Sequence, residues 1–316
     1  MDQFFTVLTQ IGIFLILIAL GVLAVKVHIL DEHSLGSISK VIMRMALPAY
    51  IFINTAEGAT RAGLASSLMV IPLAIALYLL LFLLSLALER IFHLSGNRQR
   101  VFRAIVMFGN VGFMGIPLVV ELYPDTALLY ISLFTILDQI LFWTYGVSLT
   151  QPVGEGRERR RFSPAALKNL LSPALIAIVA ATVLVLLEVR LPYVLSATLN
   201  RLGAASMPLS LLYIGGMLSM TDVRRVLRCW ELYGEIVLKM IALPLVFFAA
   251  MRLLGVAQDM AGTLAFLAGL PAINLVAMLA RQNGSEGDYA VCAVMMTTLA
   301  CLITLPLVSL GIALIG

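Results

Sequence analysis

The stretch FGNVGFMGIP, residues 108–117, decides the fold of this chain together with GLPAIN, residues 269–274. Both stretches lie inside apolar runs that are long enough to cross a bilayer, and both place glycine, proline and asparagine near mid-depth. Glycine and proline interrupt a helix and release backbone N–H and C=O groups that hydrocarbon cannot satisfy. Such breaks are tolerated at membrane depth only where protein or a watery cavity covers them. The sequence therefore predicts two broken helices around a polar site, an arrangement that indicates a secondary transporter.

The composition is typical of a helical membrane protein. The 316 residues are 61% hydrophobic and 12% charged, and the mean hydropathy is +1.04, whereas soluble domains carry roughly a quarter charged residues. The net charge of +4 comes from loops and does not indicate a nucleic-acid partner. No metalloprotease helix, nucleophile elbow or phosphate loop occurs in a suitable context, and the three histidines lack metal-ligand spacing. We therefore expect no enzyme activity, cofactor or metal, and membrane lipids as the surroundings.

An all-α polytopic fold of ten transmembrane helices follows from the apolar runs of about 20 residues, the length that crosses about 30 Å of hydrocarbon. The runs lie near Phe4–Val25, Val41–Ala56, Ser66–Leu88, Phe102–Val120, Ala127–Leu149, Asn169–Leu187, Tyr193–Met217, Trp230–Met251, Ala261–Ala280 and Tyr289–Ile315. A basic linker, residues 151–168, separates a first half, residues 1–150, from a second half, residues 169–316. Because each half has an odd number of spans, the second half enters the membrane upside down, and the halves are predicted to be inverted repeats.

The positions of the basic residues predict the orientation. Most of the 21 Lys and Arg residues fall in loops on the same side as the linker: Lys26, Lys40, Arg44, Arg90, Arg98, Arg100, Arg103, Arg157, Arg159, Arg160, Arg161, Lys168, Arg224, Arg225, Arg228 and Arg281. The opposite loops hold Arg61, Arg190, Arg201 and Arg252. Because basic loops stay in the cytoplasm, both termini are predicted to be extracytoplasmic. Arg44, one turn before Pro48, is expected to reach the cytoplasmic interface rather than a cavity.

The two breaks supply the predicted substrate site. Its residues are Gly109, Asn110, Val111, Gly112 and Pro117 from the first interrupted stretch, and Leu270, Pro271, Ala272, Ile273 and Asn274 from the second. Half-helices that begin at a break offer positive dipole ends, which favour a small organic anion as the substrate. An amide both donates and accepts hydrogen bonds, so Asn110 and Asn274 are predicted to hold a carboxylate. The alternative is that these side chains satisfy the backbone groups released by the breaks.

Two ionisable residues also lie near mid-depth, Asp138 in TILDQILFWTYG and Lys239 in EIVLKMIALP. A charge at a helix centre costs at least ~2.5–3.5 kcal/mol, so both are candidates for coupling, and Gln139 is grouped with them. One interpretation pairs Asp138 with Lys239 across the bundle and links their protonation to transport. The other pairs Lys239 with Glu235, four residues before it, and leaves Asp138 in a helix–helix hydrogen bond.

The coupling ion is left open between a proton and sodium. Sodium coupling would use oxygens of Asn110, Thr135 and Asp138 as ligands. A different class of function, a non-transporting membrane sensor or a channel on the same fold, is also left open.

Three motifs carry a resemblance to a known family: GNVGFMGIPLV at residues 109–119, DQILFWTYG at residues 138–146 and LPAINLVAMLARQNG at residues 270–284. Over essentially its whole length the chain resembles the auxin efflux carrier family, which includes plant PIN carriers and bacterial malate and malonate permeases. Two departures from the plant carriers are visible. The linker is short, and the residues after Pro271 differ from the plant pattern, so auxin is not indicated as the substrate.

The resemblance implies two inverted five-helix repeats with crossed broken helices 4 and 9, related to bile-acid symporters and sodium/proton antiporters. It implies a scaffold of spans 1, 2, 6 and 7, a moving core of spans 3–5 and 8–10, and homodimers joined through the scaffold. It places the crossing prolines at Pro117 or its neighbours and at Pro271, with Asn110 lining the substrate site. The pair of Asp138 and Lys239 is similar to the aspartate–lysine arrangement of the antiporters. We therefore expect an elevator-type carrier of a small organic anion in the bacterial inner (plasma) membrane.

Overall fold

The computed structural model describes residues 2–58, 67–123, 126–153, 173–220 and 228–315. The regular elements of these ranges are all helical, which confirms the predicted all-α class. In chain order the helices are α1 (Asp2–Lys26), α2 (Glu32–Gly58), α3 (Val70–Ile91), α4 (Gly96–Met107), α5 (Ile116–Leu122), α6 (Ala127–Leu141), α7 (Pro173–Leu186), α8 (Tyr193–Ser219), α9 (Trp230–Leu253), α10 (Gln258–Ala268), α11 (Asn274–Gln282) and α12 (Gly287–Ile315).

The length and apolar composition of the helices fit a protein that crosses the membrane several times. Within the described residues, six helical segments are long and apolar enough to span a bilayer: Glu32–Gly58, Val70–Ile91, Leu129–Leu149, Tyr193–Ser219, Trp230–Leu253 and Gly287–Ile315. Much of the predicted linker lies outside the described residues, with its arginines at 157 and 159–161. Arg61, Arg224 and Arg225 also lie outside them.

Several π-helical turns occur in or beside the helices. After three of these turns, the second residue that follows is a proline. The described turns are Ile42–Ala46 within α2, Val111–Gly115 before α5, Phe142–Gly146 after α6 and Leu238–Ala242 within α9. In α2 the N–H of Leu47 bonds the carbonyl of Ile42, five residues back, and Pro48 follows. Proline cannot donate a hydrogen bond, and its ring clashes with the carbonyl four residues earlier. The wider π turn accommodates that ring without ending the helix.

Glycines allow α1 and α8 to approach closely. A Cβ added at Gly215 would overlap the backbone of Ile18, and one added at Gly21 would overlap the backbone of Leu212. Small residues are common where helices cross in a membrane. Lipid tails are as apolar as the side chains, so the hydrophobic effect does not drive helices together there, and close van der Waals packing does so instead. A second helix contact joins α7 to the second half of α2.

The predicted fourth and ninth spans are interrupted where the sequence places glycine and proline. The fourth ends as α4 at Met107 and resumes through the π turn into α5. The ninth ends as α10 at Ala268 and resumes as α11 at Asn274. These two interruptions, here called break 1 (residues 108–110) and break 2 (residues 269–273), lie against each other in the core.

Candidate functional site

Breaks 1 and 2 bond to each other through their backbones. The N–H of Asn110 donates to the carbonyl of Pro271 at 2.8 Å, and the N–H of Ile273 donates to the carbonyl of Phe108 at 3.0 Å. Gly109 and Ala272 face each other in a short antiparallel bridge. Each break therefore satisfies backbone groups that the other has lost from its helix.

Two further bonds complete this exchange. The N–H of Val111 donates to the carbonyl of Gly109 at 2.9 Å, which closes a three-residue turn around Asn110. The N–H of Ala272 donates to the hydroxyl oxygen of Thr297 on α12 at 3.2 Å. Thr297 was not identified from the sequence, because nothing local in an apolar helix marks a threonine that bonds a segment 25 residues away.

The asparagine side chains of the site keep polar atoms that no described residue bonds. Asn110 is 2% exposed and Asn274 is 1% exposed. The Oδ1 of Asn110 and both the Oδ1 and Nδ2 of Asn274 have no hydrogen-bond partner among the described residues. The backbone groups that the breaks release are bonded by other backbone groups and by Thr297. Satisfying these groups therefore does not explain the presence of the two asparagine amides. Buried amide atoms without partners are costly, and a polar ligand would remove that cost.

The other predicted residues of the site surround these amides with apolar and backbone surface. Val111, Leu270, Ala272 and Ile273 are buried. Gly112 lies against Tyr50 of α2, whose hydroxyl donates to the Gly112 carbonyl. Pro117 lies in the first turn of α5, after the π turn, and break 1 is the segment of the first half that bonds break 2 through its backbone.

Lys239 takes a local partner. Its side chain is 1% exposed, and its Nζ lies 3.7 Å from Oε1 of Glu235 and donates to the carbonyl of Leu270 in break 2. Of the two interpretations of the charged residues, the structure therefore has the i, i+4 pair rather than the pair with Asp138. The ammonium group also neutralises a carbonyl at the end of α10, where the helix dipole is negative.

Asp138 is held by a separate hydrogen-bonded network. The hydroxyl of Tyr78 donates to Oδ1, and Nε2 of Gln139 donates to Oδ2 at 3.1 Å. Nε1 of Trp143 donates to Oε1 of Gln139 at 3.0 Å. The ring centroid of Tyr78 lies 6.0 Å from that of Phe108 in break 1. The network therefore joins α3 and α6 beside the site, and Tyr78 is a partner that the sequence analysis missed.

Thr135 lines a small cavity of about 230 Å³ on the predicted outer side of the site. Its hydroxyl is buried and has no partner among the described residues. The other wall residues come mainly from α2: Ile53, Asn54, Thr55, Glu57, Gly58, Ile116, Ile131 and Asn200. Of the three proposed sodium ligands, Thr135 faces this cavity, Asp138 has donors on both oxygens, and Asn110 lies in break 1.

A larger cavity of about 520 Å³ opens on the predicted cytoplasmic side. Its walls come from α2, α7, α8 and α11 and from the π turn after α6: Glu32, Gly36, Ser39, Lys40, Met43, Arg44, Trp143, Pro173, Tyr213, Met217, Arg281 and Gln282. Arg44 lies on this wall within the π turn of α2, so it borders a cavity that opens toward the predicted cytoplasmic interface. Trp143 connects the cavity wall to the network of Asp138.

Comparison with known proteins identifies the family. The family described as "Membrane transport protein" matches residues 6–309. An uncharacterized transporter of Methanocaldococcus jannaschii is 26% identical over 217 residues, which cover 66% of this chain and 67% of that protein. A putative malonate transporter of Rhizobium meliloti is 22% identical over 295 residues, which cover 91% of this chain and 90% of that protein. These relatives are transporters and not enzymes. The chain belongs to the membrane transport protein family, as its resemblance to the auxin efflux carriers predicted.

Proposed function

We propose that this protein is a secondary transporter that moves a small organic anion across the bacterial inner membrane by elevator-type alternating access. The observation that carries the proposal is the pair of buried asparagine amides at two bonded helix breaks, with atoms that no described residue bonds. A carboxylate accepts from Nδ2 of an amide and from backbone N–H groups at the start of a half-helix. Break 2 also leaves the carbonyl of Leu270 without a helical partner, and the ammonium group of Lys239 donates a hydrogen bond to it.

Three further features favour an anion as the substrate. The helical segments after both breaks begin at the site, so their first N–H groups have no partner within their own helix. The large cavity has Lys40, Arg44 and Arg281 on its wall, and these cations raise the local concentration of anions. The putative malonate transporter of Rhizobium meliloti aligns over most of this chain. A mono- or dicarboxylate is therefore the substrate class that we propose.

Helix packing supports the proposed inverted repeats. The first span, α1, packs on the seventh, α8, and the sixth, α7, packs on the second, α2. If the two halves are repeats, the first span corresponds to the sixth and the second to the seventh. The contact of spans 1 and 7 is then equivalent to the contact of spans 6 and 2, as a two-fold pseudo-symmetry requires. Under this proposal spans 1, 2, 6 and 7 form a scaffold, which also joins a homodimer. Spans 3–5 and 8–10 form the moving core with the crossed breaks, and both termini are extracytoplasmic.

Substrate counterflow in proteoliposomes tests the proposal. Vesicles loaded with unlabelled malonate should accumulate radiolabelled malonate, and Asn274→Ala should abolish the accumulation while leaving folding intact. The matched control is Asn283→Ala at the residue that follows α11, because the Asn283 amide already donates to Thr150 at 3.1 Å. Counterflow should persist in this control. Unchanged counterflow in Asn274→Ala would remove that residue from the site.

The same vesicles separate the alternatives. A sensor would show no counterflow with any carboxylate, and a channel would show flux without exchange. Repeating the measurement with choline in place of sodium tests sodium coupling. We expect counterflow to be independent of sodium, because both carboxylate oxygens of Asp138 already accept hydrogen bonds from protein donors.

A further inference from the structure

Glu235 is a buried carboxylate that accepts no hydrogen bond within the part of the chain that the structure describes. Its side chain is 0% exposed, and neither carboxylate oxygen has a hydrogen-bond partner among the described residues. The Nζ of Lys239, 3.7 Å away, is its ion-pair partner, and that ammonium group donates instead to the carbonyl of Leu270. The pair thus connects a weakly held carboxylate directly to the backbone of break 2.

Polar groups lead from Glu235 toward the predicted cytoplasmic surface. Glu231, one turn earlier on α9, accepts from Nε of Arg98 on α4 at 2.8 Å. The Arg98 guanidinium lies over the ring of Tyr289 on α12, 4.9 Å from its centroid. The hydroxyl of Tyr289 is buried and has no hydrogen-bond partner among the described residues. Glu231, Glu235 and Lys239 follow each other at intervals of four and therefore share one face of α9.

Three neighbouring helices contact the part of α9 that contains Glu231, Gly234 and Glu235. Tyr289 and Cys301 of α12 interact with it electrostatically, beside its own neighbour Lys239. α4 contributes Arg98, whose charge is already paired with Glu231. From α3 the side chains against this part of α9 are apolar, Leu88 and Phe92 at Gly234. Among the basic residues whose positions the structure describes, Lys239 is therefore the cation closest to the Glu235 carboxylate.

We propose that Glu235 binds the proton that is transported together with the organic anion. This inference rests on the proposed function, because it names the coupling residue of the same site. A hydronium ion gives up the proton: one of its O–H bonds breaks, which leaves water, and one O–H bond forms on a carboxylate oxygen of Glu235. The neutral carboxyl group no longer forms an ion pair, while Lys239 stays an ammonium group on the Leu270 carbonyl.

Charge balance in the buried site gives the physical reason. The ionised pair of Glu235 and Lys239 is neutral, so an anion that enters next to break 2 adds an uncompensated negative charge in a medium of low dielectric constant. Protonation of Glu235 leaves the ammonium charge free to balance that anion. Asp138 is less suited to this role, because two hydrogen-bond donors already stabilise its ionised form.

Proton uptake on substrate binding tests this assignment. Malonate is added to the purified wild-type protein in weakly buffered detergent solution near neutral pH, and a pH indicator reports protons taken up. We expect uptake in the wild type and its loss in Glu235→Gln, which imitates the protonated side chain and should still bind malonate. Glu231→Gln is the matched control on the same helix face, and its uptake should equal that of the wild type.

Three results would overturn the assignment: binding without proton uptake in the wild type, full uptake in Glu235→Gln, or a folded Glu235→Gln that does not bind. If Glu235→Gln fails to fold, Glu235→Asp replaces it and should retain uptake with a shifted pH profile. An unchanged profile would then contradict the role of Glu235. Failure of the proposed function is distinguishable, since a wild-type protein that neither binds nor exchanges any carboxylate would refute both.

Discussion

At the scale of single residues, the site combines well-bonded backbone with polar side-chain atoms that lack partners. Neither Oδ1 nor Nδ2 of Asn274 has a hydrogen-bond partner among the described residues. Two residues earlier, the backbone N–H of Ala272 donates to the hydroxyl oxygen of Thr297. Leaving a buried donor or acceptor unsatisfied costs about 1–3 kcal/mol. This free-energy cost is expected at a site where the unsatisfied atoms bind a ligand. The hydrogen-bonded backbone around them holds these atoms in position for the ligand.

The ion pair of Glu235 and Lys239 gives the first prediction. Lys239→Met removes the cation, leaves Glu235 buried and takes a donor from the Leu270 carbonyl. Breaking a buried pair from one side costs about 3–5 kcal/mol, so the unfolding midpoint in detergent should fall strongly. The double variant Lys239→Met/Glu235→Gln should recover much of that loss, because no uncompensated charge is left. Equal midpoints for the single and double variants would contradict the pairing.

A second prediction concerns the residue before α2. Asp31 accepts from the backbone N–H and the hydroxyl of Ser34 at 2.7 and 2.6 Å, and these bonds hold its pKa below the ordinary value of 3.8. A lowered pKa in the folded state adds stability above the unfolded-state pKa, and this stability is lost as the pH falls through the folded-state pKa. Asp31→Asn keeps a capping side chain without the charge. Its unfolding midpoint should therefore decline less than that of the wild type between pH 5 and pH 3.

At the scale of elements, the positions of the helix breaks could be predicted from the sequence, whereas the contacts of the broken ends could not. Glycine and proline are local signals, so both breaks were placed within a few residues. The start of α2 was missed, because Glu32–Val41 is polar and hydropathy does not register a helix that begins outside the apolar run. The bond from Tyr78 to Asp138 joins residues 60 positions apart, and single-sequence patterns carry no information on such pairs.

A third prediction tests the contact between α2 and the π turn that follows break 1. The Tyr50 hydroxyl bonds the Gly112 carbonyl across the proposed boundary of scaffold and core. A typical hydrogen bond contributes about 0.5–1.5 kcal/mol. Tyr50→Phe should therefore shift the balance between inward-open and outward-open states by a small factor without loss of folding, as measured by labelling of single cysteines from each side. Tyr193→Phe, at an exposed position of α8, is the control. An equal shift in both variants would mean that the contact has no role in the motion.

At the scale of the whole molecule, an elevator requires the core to slide along the scaffold. Gln282 of α11 donates to Ser39 of α2 at 2.7 Å across this boundary, whereas Ser196 of α8 bonds Glu57 of α2 within the proposed scaffold. The composition predicted a helical protein that crosses the membrane several times, and the six long apolar helices in the described part of the chain agree with this. The contacts between halves became visible only in three dimensions.

Cross-linking gives the prediction at this scale. Cysteines at Ser39 and Gln282, joined by a short thiol-specific cross-linker, should stop malonate counterflow, because core and scaffold can no longer slide. Cysteines at Glu57 and Ser196, joined in the same way, should leave counterflow intact. Reduction of a cleavable linker should restore activity in the first variant. Full counterflow in the linked Ser39–Gln282 variant would exclude an elevator.

The central claim is that the two breaks form an anion site in the middle of the membrane. The most direct measurement is the position of ligand density in a difference map from crystals of the wild-type protein grown with malonate. The account predicts a peak beside the amides of Asn110 and Asn274, which disappears in Asn274→Ala. A peak confined to the large cavity near Arg44, with nothing at the breaks, would contradict it.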